Sequence, residues 1–380
     1  MQIFSLREFA PPGDVTALRE QVRAMIAAHA HRWTPEQRAN PWFSFDEEFS
    51  RALGAAGFLG MTWPRQYGGH ERHALERYVV IEELLAGGAP SGLHWIADRQ
   101  TGPLLLKYAN ERLKQKYLPG MARGEIYACI GLSEPNSGSD LASVRTFAEK
   151  TPAGWRVNGQ KVWTSGAHKS QAALTLLRTE AGSERQAGLS QLMIDLDLPG
   201  VTVRPIIDMT GQHHFNEIFF EDALVPLDAL VGEEGNGWKQ VTAELALERS
   251  GPERYLSSHM LLEALIDHAG PNPSPALAGL IGRLTAEMWT LRQMSLATAA
   301  KLAAGEDPMV EAAIVKDLGN AYEQAMPRLV QAVVEDVDLA EDSRLARLIR
   351  FILVQSPSYS LRGGTPEVLR GIIARGLGLR

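Results

Sequence analysis

The residues best suited to chemistry begin at Ile130 and run to Asp140: Ile-Gly-Leu-Ser-Glu-Pro-Asn-Ser-Gly-Ser-Asp. The apolar run Ile126 to Leu132 reads as a buried strand. It ends at Ser133-Glu134-Pro135, because proline cannot continue a central ladder. Asn136, Ser137, Gly138 and Ser139 follow as a small-residue loop. Such a loop lets backbone approach a flat or phosphorylated ligand and aim N–H and O–H groups at it. Taken alone, the segment also reads as an ordinary strand-to-loop turn. A second segment, Trp155 to Trp163, reads as two short strands joined by Asn158-Gly159, a dipeptide that suits the φ > 0 demands of a type I′ turn. It delivers Trp163, then Thr164 and Ser165. An aromatic beside two hydroxyls suits a planar heterocycle, the ring covering a face and a hydroxyl bonding a ring nitrogen. A hairpin tryptophan by itself serves equally for core packing.

These segments need a scaffold, and the hydrophobic period supplies it. Residues 1–123 read as helical, with Leu18, Val22 and Ile26 at helical spacing in Val15 to Ala30. Phe45 to Ala56, Arg72 to Leu85 and Arg112 to Arg123 repeat the pattern. Met61-Thr62-Trp63-Pro64 and Tyr67-Gly68-Gly69 form a turn-rich connector whose expected job is to hold helices together. From 124 to 233 the period shifts toward two, with strands expected at Ala172 to Arg178, Leu189 to Leu196, Val201 to Ile207 and Glu217 to Phe220. Residues 234–380 return to helix, with segments starting at Trp238, Ala276, Met309 and Ser343, and a loop at Pro271 to Pro275. The expected fold is α+β and multidomain: an N-terminal helical domain, a small central β domain and a C-terminal helical bundle. Thr365-Pro366-Glu367 reads as the start of the last helix, with Thr at the N-cap, Pro at N1 and Glu in the first turn. Glu244 and Glu248, spaced i,i+4, read on their own as a solvated helix face.

A net charge of −7 makes general nucleic-acid affinity unexpected. The single cysteine, Cys129, excludes an internal disulfide and a Cys-rich metal site; no metal is expected. The N-terminus lacks a basic region followed by a long apolar stretch, and no span suits a membrane helix. A cytoplasmic location is the expectation.

The two segments together resemble the acyl-CoA dehydrogenase family. Its patterns are (Thr/Ser)-Glu-Pro-x-x-Gly-Ser-Asp and Asn-Gly-x-Lys-x-Trp-x-(Thr/Ser), matched by Ser133 to Asp140 and Asn158 to Ser165. The resemblance covers nearly the whole chain and thins after about residue 255. It implies FAD held by Ile130, Leu132, Ser133, Gly138, Ser139, Trp163, Thr164, Ser165, Thr365 and Glu367. It implies an acyl-CoA substrate meeting Ser139, Arg249 and Gly364, with His94, Trp95 and Arg99 near the acyl pocket. The reaction it implies is α,β-dehydrogenation, in which a buried Glu removes the α-proton and a hydride leaves the β-carbon for the flavin. Many members carry that Glu in Tyr-Glu-Gly-Thr near the C-terminus. Here the run is Arg362-Gly363-Gly364-Thr365, without the carboxylate. Isovaleryl-CoA and long-chain acyl-CoA dehydrogenases carry it instead on the first helix after the β domain, before an Arg. That resemblance assigns the base to Glu248, followed by Arg249.

Two family elements are missing: Arg-x-x-Phe-Gly between about 255 and 280, and Gln-x-x-Gly-Gly-x-Gly near 331–345. In the family both hold the partner subunit's FAD. The implied assemblies are a homo-oligomer, or a heterotetramer with a diverged paralogue that supplies these elements. Electron-transfer flavoprotein is the implied electron acceptor. The alternatives are a supporting subunit with reduced catalysis, and a flavin oxidase or monooxygenase on the same fold.

Overall fold

The computed structural model describes residues 13–248, 251–334 and 337–379, with the side chains of 243–248 outside that description. The order is helices, strands, helices. The first helices are α1 Thr16–His29, α2 Pro35–Ala39, α3 Glu47–Ala55, α4 Ala74–Ala86, α5 Gly92–Ile96, α6 Gly102–Tyr108 and α7 Glu111–Ala122. The strands are β1 Ala128–Gly131, β2 Phe147–Thr151, β3 Gly154–Ser165, β4 Ala172–Arg178, β5 Leu189–Asp195, β6 Val201–Ile207 and β7 His213–Val225. Then come α8 Gly237–Glu248, α9 His259–Ala269, α10 Pro275–Ala303, α11 Met309–Val333, α12 Arg344–Gln355 and α13 Pro366–Gly376.

Two compact units share the chain. One takes the chain up to Ser44, His73–Ser91 and everything from Ala246 onward; the other takes Phe45–Arg72 and Gly92–Leu245. The first is helical. Within it, α1 and α4 are joined through the buried Glu82 and Glu83, which receive Arg19, while Arg23 bonds Glu83 and Arg292 of α10 bonds Glu82 at 2.6 Å. Tyr78 Oη lies 3.0 Å from both Tyr255 Oη and Ser295 Oγ, so the interior polar groups are chained together.

The second unit contains the seven-stranded sheet, in order β1-β4-β2-β3-β7-β6 with β5 on β4. β4 pairs in parallel with β1 and, at Arg178, with β2, while β5 runs antiparallel along its length. Trp155, Val157, Leu177, Ile194, Ile218 and Phe220 fill one core. A second core joins Trp63, Tyr117 and Leu118 to Ala128 and Leu174. Trp63 is buried there, so the connector does hold helices together.

The expected hairpin at Asn158-Gly159 is not present. β3 runs unbroken from Gly154 to Ser165, and the chain turns before it, at Pro152-Ala153. Two register shifts against β7 lie on β3, one between Val157 and Gly159 and one between Lys161 and Thr164. Asn158 Oδ1 accepts the Asp222 N–H at 2.9 Å and Asn158 Nδ2 bonds the Asp222 carboxylate at 3.0 Å. These bonds hold a bulge, which also demands a permissive φ. Gly159 has φ +143, and a β-carbon there would lie 2.6 Å from Thr146 Oγ1. Sequence reasoning saw the need for glycine but not the partner strand that converts a turn signal into a bulge. β7 also extends well beyond the expected Glu217 to Phe220.

A buried ion pair ties β3 to the loop after β1. Lys161 Nζ lies 2.7 Å from Glu134 Oε1 and donates to the Leu132 carbonyl at 3.0 Å. Glu134 also accepts the N–H groups of Arg145 at 2.7 Å and Thr146 at 2.9 Å. Burial alone would raise the Glu134 pKa; Lys161 and these N–H groups outweigh it and hold the carboxyl below its ordinary value. Burial pulls the Lys161 ammonium down to about 8 against the pull of Glu134.

Replacing Lys161 by Met leaves a buried carboxylate without its cation. The expected cost is about 3–5 kcal/mol in denaturant unfolding at pH 7. The group with the depressed pKa is Glu134, so its stabilisation is present above the ordinary carboxylate range and is lost as pH falls through the folded value. The stability gap between wild type and Lys161→Met is therefore expected to narrow on acidification, and a gap that stays constant with pH would contradict the pairing.

Candidate active site

β1 ends at Gly131, and the loop behind it is held at both ends. Val162 N–H donates to the Ser133 carbonyl at 2.9 Å. Glu134 and Ser137 exchange backbone bonds at 2.8 and 3.0 Å, and Ser137 Oγ donates to the Asp140 carbonyl at 2.8 Å. Ile130, Leu132 and Ser133 are half-buried, whereas Gly138 and Ser139 are exposed. No atom comes within 4 Å of where a Gly138 β-carbon would sit. Packing within the chain therefore does not dictate glycine here, and the space above the loop is open to a ligand.

β3 carries the other half. Trp163 lies in the left-handed region at φ +59, directly in the second register shift. A tryptophan there is strained, and strain of this kind concentrates at functional positions. Its indole is 59% exposed and is braced edge-on by Phe215, ring centroids 5.9 Å apart. Thr164 is buried, and its hydroxyl finds no hydrogen-bond partner among the described residues. Ser165 is half-buried. An exposed aromatic face beside a buried, unsatisfied hydroxyl is the donor set that a planar heteroaromatic ring fits. The residues present thus fit a flavin ring.

On the adjoining helices of this unit, His94 is buried with Nδ1 2.9 Å from Ser50 Oγ, and burial pushes it down to about 3. It is therefore held neutral. Trp95 is buried with the Arg99 guanidinium 4.8 Å from its ring centroid. Asp98 accepts the Gly60 N–H at 2.7 Å within a π-turn spanning Ala97–Thr101.

In the helical unit, the turn before α13 is built from beneath. Lys316 Nζ donates to the Gly364 carbonyl at 2.9 Å. Arg362 is stacked between Trp42, 4.0 Å, and Tyr359, 4.5 Å, and donates to Ser257 Oγ at 2.8 Å. Burial lowers the Arg362 pKa to about 10, with Glu323 opposing the shift. Gly363 and Gly364 take φ +68 and +109, where a side chain is strained. The turn is therefore shaped for glycine at the position where many relatives of the motif carry a carboxylate. Thr365 stands at the N-cap position of α13, but its hydroxyl does not cap a backbone N–H. The carboxyl of the exposed Glu367 is held below its ordinary value, first by its own backbone N–H and then by the Thr365 hydroxyl.

Glu248 closes α8. Its side chain, and Arg249 altogether, lie outside the described residues. Among the described residues no group of three or more His, Cys, Asp or Glu side chains could hold a metal ion. No helix among them is long and apolar enough to cross a membrane. The sequence reading assigned no part to Lys161, Asn216 or Arg362. The signal for the first two was a polar side chain at an inward position of an apolar alternation; for Arg362 there was none.

The acyl-CoA dehydrogenase N-terminal and middle domains match residues 13–125 and 129–223. The acyl-CoA dehydrogenase IpdE1 of Mycolicibacterium smegmatis is 34% identical over 361 residues, 88% of this chain and 89% of that protein. The IpdE1 of Mycobacterium tuberculosis is 39% identical over 243 residues, 62% of this chain and 63% of that protein. Among solved structures, the Tcur3481-Tcur3483 steroid ACAD is similar with TM-score 0.87 and 27% identity, covering 99% of this chain and 100% of that one. The ChsE4-ChsE5 complex from Mycobacterium tuberculosis is similar with TM-score 0.81 and 26% identity, covering 98% and 99%. The match of both domains, and a relative 34% identical across most of both chains, establish that this chain belongs to the acyl-CoA dehydrogenase family of oxidoreductases.

Proposed function

We propose that the chain carries out FAD-dependent α,β-dehydrogenation of an acyl-CoA thioester with Glu248 as the base. The observation that carries the flavin reading is the strained, exposed Trp163 beside a Thr164 hydroxyl that has no hydrogen-bond partner among the described residues. Ser133, Gly138 and Ser139 would offer donors from the loop, while Ile130 and Leu132 would form its apolar floor. Thr365 and Glu367 would meet the cofactor from the start of α13. Ser139, Arg249 and Gly364 would contact the substrate. FAD, when bound, supplies the acceptor for the hydride that leaves the β-carbon.

The Glu248 carboxylate takes the α-proton, and the pair of electrons released forms the α,β double bond. The left-handed turn at Gly363 supports this assignment, because that backbone disfavours a carboxylate-bearing residue at the alternative position. Desolvation against an acyl chain is the general means of bringing such a carboxyl toward its working range. Electron-transfer flavoprotein is the proposed acceptor.

A second reading concerns assembly. The missing Arg-x-x-Phe-Gly and Gly-rich elements favour a heterotetramer with a diverged paralogue that completes the FAD site, over a homo-oligomer. Two of the similar structures carry two-component names, and one is called a steroid ACAD. A bulky, polycyclic acyl-CoA is the proposed substrate class.

Glu248→Gln is expected to lower kcat by about 10²–10⁴-fold while flavin stays bound. Unchanged turnover in the purified assembly would remove Glu248 from the reaction. The visible spectrum tests the assembly: this chain expressed alone should be colourless, and the complex co-expressed with a paralogue yellow. One FAD per chain in the isolated protein would overturn the heteromeric reading.

A further inference from the structure

Strand β7 carries an asparagine where its alternation calls for an apolar residue. His214, Asn216, Ile218 and Phe220 all face inward, and Asn216 is fully buried. Its polar atoms are all engaged. Nδ2 donates to the Thr164 carbonyl at 3.1 Å and faces His168 Nδ1 at 3.2 Å, and Oδ1 faces His213 Nε2 at 2.8 Å. An amide nitrogen can only donate and an amide oxygen can only accept. His168 therefore presents a lone pair at Nδ1, and His213 carries its proton on Nε2. The two imidazoles stack with centroids 3.8 Å apart and an interplanar angle of 19°, and Phe45 meets His168 edge-on at 5.5 Å.

The contact falls where the sheet's own bonding is interrupted. Thr164 pairs with Asn216 immediately after the register shift that contains Trp163. The next anchor is the Gly166 N–H, which donates to the His214 carbonyl at 2.9 Å. His214 is itself fixed by Asp208, at 2.6 Å.

We propose that Asn216, locked by the His168–His213 stack, is the positioning residue for the segment Trp163–Ser165: it holds the Thr164 carbonyl and so sets the left-handed backbone at Trp163 and the aim of the adjoining hydroxyls toward the flavin ring. This rests on the flavin reading above. The arrangement has a chemical signature, because it works only while His168 is neutral. Burial, then His213 and Lys169, push His168 down to about 4. The charged and titratable groups around it are His213 and His214 of β7, Asp208 bonded to His214, and Lys169, which lies 3.6 Å from Glu47. Arg204 of β6 is engaged over the Phe219 ring. A proton at His168 Nδ1 would face the Asn216 amide donor, and Asn216 would have to turn away from Thr164. His168 is a base with a lowered folded pKa, so its stabilisation is complete above the unfolded value of about 6.5 and falls away as pH drops toward the folded one.

Two variants and two readouts test this. The first readout is hydrogen exchange of the segment 162–167 in flavin-free protein, corrected for the intrinsic pH dependence. Asn216→Leu should speed exchange about tenfold at pH 7, the effect of one lost net hydrogen bond. Wild type should show an acid limb below pH 6 that His168→Gln, which keeps an acceptor but cannot titrate, lacks. The second readout is FAD affinity in the purified assembly, expected to weaken about tenfold in Asn216→Leu. Unchanged exchange in Asn216→Leu, or an acid limb that persists in His168→Gln, would overturn the proposal. Faster exchange with unaltered FAD affinity would overturn its link to the flavin. Should Asn216→Leu fail to fold, the acid limb in wild type and its loss in His168→Gln decide. Failure of wild type to take up FAD in any assembly would sink the flavin reading, and the exchange arm would still judge the role of Asn216.

Discussion

The ion pair between Lys161 and Glu134 is the constraint on which the loop after β1 and the Trp163 segment depend. One buried ammonium reaches the end of β1 through the Leu132 carbonyl and the following loop through Glu134, while its own backbone belongs to β3. Glu134 in turn takes the N–H groups of the segment leading into β2. Four chain segments thus meet at one carboxylate and one ammonium. A buried pair of this kind adds little net stability compared with an apolar replacement, but removing one partner is costly. Its value lies in register: the loop and Trp163 cannot shift independently.

The turn before α13, in the helical unit, follows a similar logic with different chemistry. Arg362 lies between two aromatic faces, close to the fully buried Glu323 at 3.5 Å, and Lys316 reaches up to the Gly364 carbonyl. Burial raises the Glu323 pKa, and Arg362 opposes that rise. Cationic side chains therefore fix the backbone of a turn that carries no ionisable side chain at Gly363 or Gly364. In each unit, buried charge shapes main chain around small residues.

Much of the fold was legible in sequence because period and punctuation agreed. β4 and β6 begin and end where alternation said, and the helix expected from Ser343 is α12, with Ser343 at its N-cap. The failures share a cause. Asn158-Gly159 is a turn signal in isolation, and only the pairing of β3 with β7 makes it a bulge. Thr365 has the right type and stands at the N-cap position, yet its hydroxyl makes no capping bond. The chemical motifs were legible as strings, since Ser133 to Asp140 and Asn158 to Ser165 sit close together in sequence. Two of their supports, Glu134 and Lys161, lie within those strings; others do not. Asn216 lies far along the chain, and nothing local distinguishes a buried asparagine from a loop residue until the strand partners are known.

The left-handed backbone at Gly363 limits what can replace it. Any residue with a β-carbon there would bear about 1–2 kcal/mol of backbone strain, against a total stability of about 5–15 kcal/mol. A carboxylate placed at 363 would therefore need the turn around it rebuilt as well. Backbone geometry at one position thus restricts where on this scaffold an acidic side chain can be carried without strain.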